Sequence, residues 1–483
     1  MKATLEDSPQ HLYEQVADEV AQLIDQRILQ PGDRTPSVRK LMAQKGVSRS
    51  TALQAFQLLE GRGLVEARPQ SGYYVKPQRE HLLPEPEQFR NDADNHDQIE
   101  LEGMAAAVAG VIASFRHHPE YAPFGVATPS PEILPNRALN RALAAAARQP
   151  AQAGNNYDFP PGHEELRRQI ALRAPDAGHQ LAMDEIVTTF GCMESLNLAL
   201  RATCRPGDCV AIESPTYYGV LQALESLGLL ACEIPTHPQH GVDLDALKST
   251  LDRKKVAACL FTTSFNNPLG SNMPEENRRV LVQEILAPRG IPLIEDEIYA
   301  ELYHGPTRPK SCRAFDREGL VLVCSSFSKC LAPGYRVGWI VPGRFGQRVQ
   351  LLKFMNTLAT ATHPQAAIAD FMKSGAFDHH MRSLRKRMRD QVARVTSAVA
   401  DSFPAETRIT RPAGGFVLWV ELPAQVNALR LHQQALAVGI SIAPGPIFSA
   451  KQRFGNFIRL SCGHPWTSRL EHALVTLGKL AGK

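Results

Sequence analysis

The sequence predicts a chain of two unlike parts: a small bundle of three helices with a β-hairpin, then a large α/β domain on a parallel sheet. Three observations predict it. Three helical patterns and two β-prone runs crowd into residues 11–76. Residues 77–100 then hold seven acids, two bases and three prolines, a composition that buries little apolar surface. From residue 118 onward, β-rich apolar runs alternate with helical stretches, the signature of a βα layer. With 483 residues the chain exceeds the ~250–300 at which single cores stop growing. The expected organisation is a first domain at 9–77, a linker at 78–117 and a second domain at 118–481.

The first helix is read over 11–29, where Leu12, Val16, Val20, Leu23 and Ile24 recur at three- and four-residue spacings. Gln30-Pro31-Gly32 ends it. A second helix starts at Pro36-Ser37, carries Val38, Leu41 and Met42, and closes at Gly46. A third begins at Ser48, whose hydroxyl can cap free amides, and turns Ala52, Ala55, Phe56, Leu58 and Leu59 inward. It leaves Arg49, Ser50, Gln54 and Gln57 outward and ends before Gly61 and Gly63. The runs 64–67 and 73–75, joined by Arg68-Pro69-Gln70-Ser71-Gly72, read as a hairpin.

Charge supports a phosphate-binding role for this module. Residues 34–76 carry eight Lys or Arg against two acids, although the whole chain is only +4. A basic run alone is usually a solvated face. Helix order, capping serine and glycine-tipped hairpin together favour a winged helix-turn-helix, in which the third helix enters the major groove and the wing touches backbone. Arg49 and Gln54 can then reach bases. The stretch PGDRTPSVRKLMAQKGVSRSTALQAFQLLEGRGLVEARPQSGYYV resembles the DNA-binding domain of the GntR family of bacterial repressors. That resemblance implies DNA contacts by Arg34, Ser37, Arg39, Ser48, Arg49, Thr51 and Gly72.

Bulk composition excludes several classes. No window approaches the ~18 unbroken apolar residues of a membrane span. The start, MKATLEDSPQ, is acidic where a secretory signal is apolar, so a cytoplasmic protein is expected. Nine cysteines stand singly with no CxxC pair, which suits a reducing compartment and argues against zinc or any other metal site.

In the second domain the β-rich runs are 186–190, 209–212, 257–262, 292–294 and 320–324. Ligands of such sheets sit beyond the carboxyl ends of the strands, so the residues after each run carry the chemistry. Gly191-Cys192-Met193 opens a helix and offers free amides to a phosphate. Tyr217 follows the second run and can stack on a flat ring. Asn267, in Phe265-Asn266-Asn267-Pro268-Leu269-Gly270, brings an amide on a turn. Each of these alone is ordinary turn or core chemistry. Asp296 is sharper: a carboxylate ending an apolar strand needs a cationic partner, and a pyridinium nitrogen is one. Tyr299 lies three residues on. Ser325-Ser326-Phe327-Ser328-Lys329 places an amine beyond a buried strand, where it can lose its proton and form an imine. Ser326, Ser328 and Arg336 can surround a phosphate with hydroxyls and a guanidinium fork.

Asp296, Lys329 and Arg336 in this order resemble the fold-type I, pyridoxal-phosphate-dependent aminotransferases, over residues ~118–481. The fusion resembles the MocR-type branch of GntR regulators. The resemblance implies that Lys329 is the catalytic lysine, forming the internal aldimine with pyridoxal 5'-phosphate. It also implies that Asp296 pairs with the pyridinium, that Asn267 and Tyr299 bond the ring hydroxyl, and that Tyr217 stacks on the ring. The phosphate would be held by Cys192, Met193, Ser326, Ser328 and Arg336, joined by Tyr157 from the partner subunit of a homodimer. Arg459 corresponds to the arginine that clamps a substrate carboxylate. Two departures from the common pattern stand out, Gly-Cys-Met in the phosphate loop and Leu269 in the Asn-Pro loop.

The expected function is a transcriptional regulator that binds operator DNA and senses an amine or amino acid through Lys329. The alternatives are an aminotransferase with an appended DNA-binding domain, and a DNA-binding dimer whose cofactor is fixed. A metabolic enzyme has no evident use for a basic winged helix, which favours the regulator.

Overall fold

The computed structural model describes residues 12–26, 28–30, 32–61, 64–68, 71–76, 83–88, 102–148 and 155–482. Two compact units divide the chain, 1–82 and 83–483.

In the first unit, helices α1 (Leu12–Asp25), α2 (Val38–Lys45) and α3 (Arg49–Gly61) precede the antiparallel strands β1 (Val65–Arg68) and β2 (Gly72–Val75). The sequence pattern builds each element. Ser37 accepts the Lys40 N–H at 3.2 Å and caps α2, and Gly46 ends it in the left-handed region that favours glycine. Ser48 accepts the Thr51 N–H at 3.1 Å and starts α3. The apolar faces meet in one core containing Val16, Val20, Leu41, Phe56, Leu59 and Val65. Phe56 is fully buried and stacks on Tyr73 at 4.3 Å, which ties α3 to the hairpin. Leu12, counted in the apolar stripe, is instead 53% exposed at the first position of α1. Pro31, Gly63, Pro69 and Gln70 lie outside the described residues.

The second unit starts earlier than the sequence suggested. Residues 83–88, read as linker, pack on it: the Ile409 N–H donates to the Pro84 carbonyl at 2.9 Å, and the Arg411 N–H to Glu85 at 3.0 Å. Helix α4 (Glu102–His117), also read as linker, buries Val108 and Val111 and sets the Ser114 hydroxyl 2.8 Å from that of Ser441. The physical reason is that its apolar stripe needs cover, while Glu87 pairs with the Arg408 guanidinium and Glu85 accepts the Arg411 backbone N–H. Positions 9–11, 77–82 and 89–101 of the expected boundaries lie outside the described residues.

After a short strand β3 (Ala122–Pro123), the main sheet is formed by β4 (Val187–Thr189), β5 (Cys209–Ser214), β6 (Leu230–His237), β7 (Gly241–Val242), β8 (Val256–Phe261), β9 (Leu293–Asp296), β10 (Val321–Ser326) and β11 (Gly338–Val341). Its order is β4-β11-β10-β9-β8-β5-β6-β7. The five central strands run parallel, and apart from exposed Leu230 at the start of β6 and half-buried Ala257 their Val, Ile, Leu and Ala side chains are buried on both faces. The sheet is mixed, however: β11 is antiparallel to both β4 and β10, and β7 to β6. A smaller sheet follows, β12 (Arg408–Ile409), β13 (Val417–Glu421), β16 (Phe457–Ser461) and β15 (Ala443–Pro444), with β14 (Ile440–Ser441) paired to β3. The parallel core places the carboxyl ends of β5, β8, β9 and β10 at one edge.

Candidate active site and candidate DNA-binding face

Asp296 ends β9 with its side chain buried. It accepts hydrogen bonds from the Cys192 thiol at 3.3 Å and the Ile298 N–H at 3.0 Å. Burial raises its pKa to about 6 from an ordinary 3.8, against the pull of these donors and of the Lys329 charge. Lys329 follows β10 and donates to the Ala127 carbonyl at 2.6 Å. Burial lowers its pKa to about 8, with help from the positive charges of Arg459 and Arg336, while Asp296 opposes. A buried acid and a half-buried amine, each biased toward its neutral form, therefore lie together.

Beside them lies an anion cradle. The helix Cys192–Thr203 begins after Gly191, which gives no side-chain cap, so its first amides face outward. Ser326 and Ser328 hydroxyls lie 2.8 Å apart, and Arg336 donates to Ser328 at 3.2 Å and to the Phe190 carbonyl at 3.1 Å. Arg336 adopts a left-handed φ of 54°, which turns its side chain back over this loop. Gly191 sits at φ 89°, and a Cβ there would lie 2.7 Å from Arg336 Nη2. Behind the cradle, Glu194 accepts the Phe190 N–H at 2.6 Å and pairs with buried Lys353 at 2.9 Å.

On the other side of the pocket, Arg459 on β16 is 1% exposed. Its Nη1 donates to Asn267 Oδ1 at 3.3 Å, its Nη2 to the Gly125 carbonyl, and its Nε has no partner. Asn267 also lies beside the Tyr299 side chain, and burial raises the pKa values of Tyr299 and Tyr217. Tyr217 packs against Tyr218, ring centroids 4.5 Å apart.

The structure thus brings together Lys329, Asp296, Cys192, Asn267, Tyr299 and Arg459, with Ser326, Ser328, Arg336 and the Cys192–Met193 turn beside them. Tyr157 stands apart, 66% exposed and resting on Phe159. Sequence reasoning missed the Gly125 and Ala127 carbonyls, because any residue presents one, and missed the Glu194–Lys353 pair beneath the cradle. The pocket fits a flat, phosphate-bearing, ring-cationic aldehyde such as pyridoxal phosphate. The glycine-cleared cradle suits the phosphate, the buried carboxylate a cationic ring atom, and the unpartnered Arg459 Nε an incoming anionic group.

In the first unit Arg34, Arg39, Arg49 and Gln54 are exposed. Arg34 lies across the wing: a Cβ on Gly72 would sit 3.4 Å from its Nε. The Ser37 and Ser48 hydroxyls are occupied as helix caps, and Ser48 also bonds Thr51 Oγ1 at 2.8 Å.

The model of the family "Aminotransferase class I and II" matches residues 133–477, and that of "Bacterial regulatory proteins, gntR family" matches 12–75. An uncharacterised HTH-type transcriptional regulator of Escherichia coli K12, YdcR, is 39% identical over 470 residues, 97% of this chain and 98% of its own. The 2-aminoadipate transaminase of Thermus thermophilus is 30% identical over 363 residues, 74% of this chain and 89% of its own. Among solved structures, LysN, the α-aminoadipate aminotransferase of Thermus thermophilus complexed with N-(5'-phosphopyridoxyl)-L-leucine, superposes with a TM-score of 0.72 at 27% identity. It covers 79% of this chain and 97% of its own. The chain therefore belongs to the aminotransferase class I and II family, with a GntR-family helix-turn-helix domain ahead of the aminotransferase fold in the MocR-like arrangement.

Proposed function

We propose that this protein is an amine-responsive transcriptional regulator whose winged helix binds operator DNA and whose pyridoxal-phosphate pocket senses a primary amine or amino acid. One observation carries the reading: the similarity to a protein named as a transcriptional regulator spans 97% of the chain, both units included, whereas the transaminase likeness spans 74%. The DNA role puts the protein in the cytoplasm, and among the described residues no helix is long and apolar enough to cross a membrane.

Bound pyridoxal phosphate supplies an aldehyde that condenses with amines and a ring that withdraws electrons. Lys329 provides the resident amine, and its lowered pKa leaves part of it unprotonated near neutrality. Asp296 would balance the charge of the ring nitrogen, Asn267 and Tyr299 would hold the ring hydroxyl, and Tyr217 would cover the ring face. Ser326, Ser328, Arg336 and the Cys192 and Met193 amides hold the phosphate. Arg459 grips the carboxylate of an amino-acid ligand. When not engaged with the cofactor, Lys329 Nζ would rest on the Ala127 carbonyl, 2.6 Å away. Exposed Tyr157 completes the phosphate site of a partner subunit, so the working form is a homodimer, which also suits paired operator half-sites. Arg34, Arg39 and Arg49 meet DNA phosphates or base edges with Thr51 and Gln54. Ser37, Ser48 and Gly72 shape that surface.

Fluorescence anisotropy on promoter DNA, run with a panel of amines while oxo-acid release is followed, tests the reading. The expected result is an amine that changes DNA affinity about tenfold or more without sustained oxo-acid release. Rapid release with no effect on DNA would establish the second reading, a transaminase, which the retained set of Lys329, Asp296 and Arg459 favours.

A further inference from the structure

The long helix Ala376–Ser402 buries Met381, Leu384 and Met388 on one side. Arg382, Lys386 and Arg389, spaced by four and three, share another face. They wall an open cleft of about 700 Å³, closed opposite by the turn from His304 to Thr307. The nearby arginines are already committed: Arg173 to Asp378 at 2.6 Å and Glu301 at 3.4 Å, Arg308 to Glu297 at 2.7 Å, Arg385 to Glu301 at 3.2 Å. The cleft's acids, Asp176 and Asp378, both face Arg173. Arg382, Lys386 and Arg389 have no ion-pair partner among the described residues. Arg389 also acts on His304 across the cleft, adding its charge to the burial that lowers that imidazole's pKa.

Three unneutralised cations thus occupy about 10 Å of helix, at about 1.5 Å per residue. One carboxylate cannot satisfy them, and a chain of phosphate groups can. The ring of Tyr303 is covered by the Arg385 guanidinium at 3.8 Å, so no free aromatic face at that position invites a base to stack. Charge, not base identity, is what the cleft reads. None of its lining residues belongs to the pocket around Lys329.

We propose that this cleft binds a free multivalent phosphate, an inorganic or organic polyphosphate, independently of the amine-sensing pocket. The test uses the full chain loaded with pyridoxal phosphate, titrated with tripolyphosphate by calorimetry. Binding weakens with added salt, and falls about tenfold or more when Arg382→Ala, Lys386→Ala and Arg389→Ala are combined, as loss of charge-assisted hydrogen bonds predicts. The single reversal Lys386→Glu weakens it too, and neither variant changes the cofactor's absorbance. Combining Arg39→Ala with Arg49→Ala, in the other unit, leaves it intact. No binding to the parent, undiminished binding to the triple variant, loss in the Arg39/Arg49 variant, or equal affinity for citrate would each overturn the proposal. A duplex DNA arm separates the other phosphate source: DNA affinity stays at the parent's level in the triple variant, and its loss would assign the face to DNA instead.

Discussion

Asp296→Asn should stabilise the cofactor-free second unit while destroying its grip on the cofactor. The carboxyl is buried, and its pKa stands at about 6 against an ordinary 3.8. That difference of about two pH units, at roughly 1.36 kcal/mol each, is a cost of about 3 kcal/mol for keeping the group ionised in the folded apo chain. The sign follows from proton counting. Between pH 3.8 and 6 the folded state holds more protons than the unfolded one, so stability falls as pH rises through that window. Asparagine is isosteric, carries no charge and still accepts from the Cys192 thiol and the Ile298 N–H. The apo variant should therefore exceed the apo parent by about 3 kcal/mol at pH 8, about half that at pH 5, and about 0.5 kcal/mol at pH 4. Urea denaturation of both apo proteins, followed by tryptophan fluorescence across these pH values, measures the difference. With pyridoxal phosphate present the order reverses, because the parent gains the ring-nitrogen pair and the variant does not. An apo variant no more stable than the parent at pH 8, or a gap independent of pH, would refute the reasoning.

The remaining predictions concern single contacts. Gly191→Ala adds a Cβ 2.7 Å from Arg336 Nη2 at a φ of 89°, so equilibrium dialysis should show a pyridoxal phosphate affinity at least tenfold weaker, about 1.4 kcal/mol or more, with the circular dichroism spectrum retained. Ser48→Ala removes the cap of α3 and should cost the first unit about 1 kcal/mol in thermal melts, lowering DNA affinity with it; an unchanged melt would mean the cap is dispensable. Phe56→Ala empties the centre of the small core at a cost of about 3–5 kcal/mol. Melting should show that unit unfolded while the visible absorbance of the cofactor on Lys329 persists.

Much of this architecture was legible because local chemistry and fold agree. Ser37, Ser48 and Gly46 announce helix ends through groups that act on their own neighbours, and the structure uses them so. The central strands were legible as unbroken apolar runs. Strand β6 was not, since Glu233 and Pro235 interrupt its pattern, yet Glu233 is buried and accepts the Ala450 N–H at 2.8 Å. Strand β11 was hidden differently. Its direction comes from pairing with β10, and no local sequence signal encodes an antiparallel neighbour in a βα layer.

The pocket residues could be assembled in advance because parallel strands deliver their carboxyl ends to one edge, so residue order along the chain becomes proximity in space. What could not be assembled was the part supplied by main chain. The Lys329 amine rests on the Ala127 carbonyl and the Arg459 guanidinium on the Gly125 carbonyl. Both belong to the segment directly after α4, whose serine bonds Ser441 and whose following strand β3 pairs with β14. Reading α4 as linker and overlooking these carbonyls are therefore one error: the stretch taken for a passive connection is anchored to the small sheet and continues into the wall of the pocket. Its composition hides this, because alanine and valine contribute burial without polar punctuation, and a carbonyl is independent of side-chain identity. The consequence is physical: a change at the Lys329 amine makes or breaks a hydrogen bond to this segment.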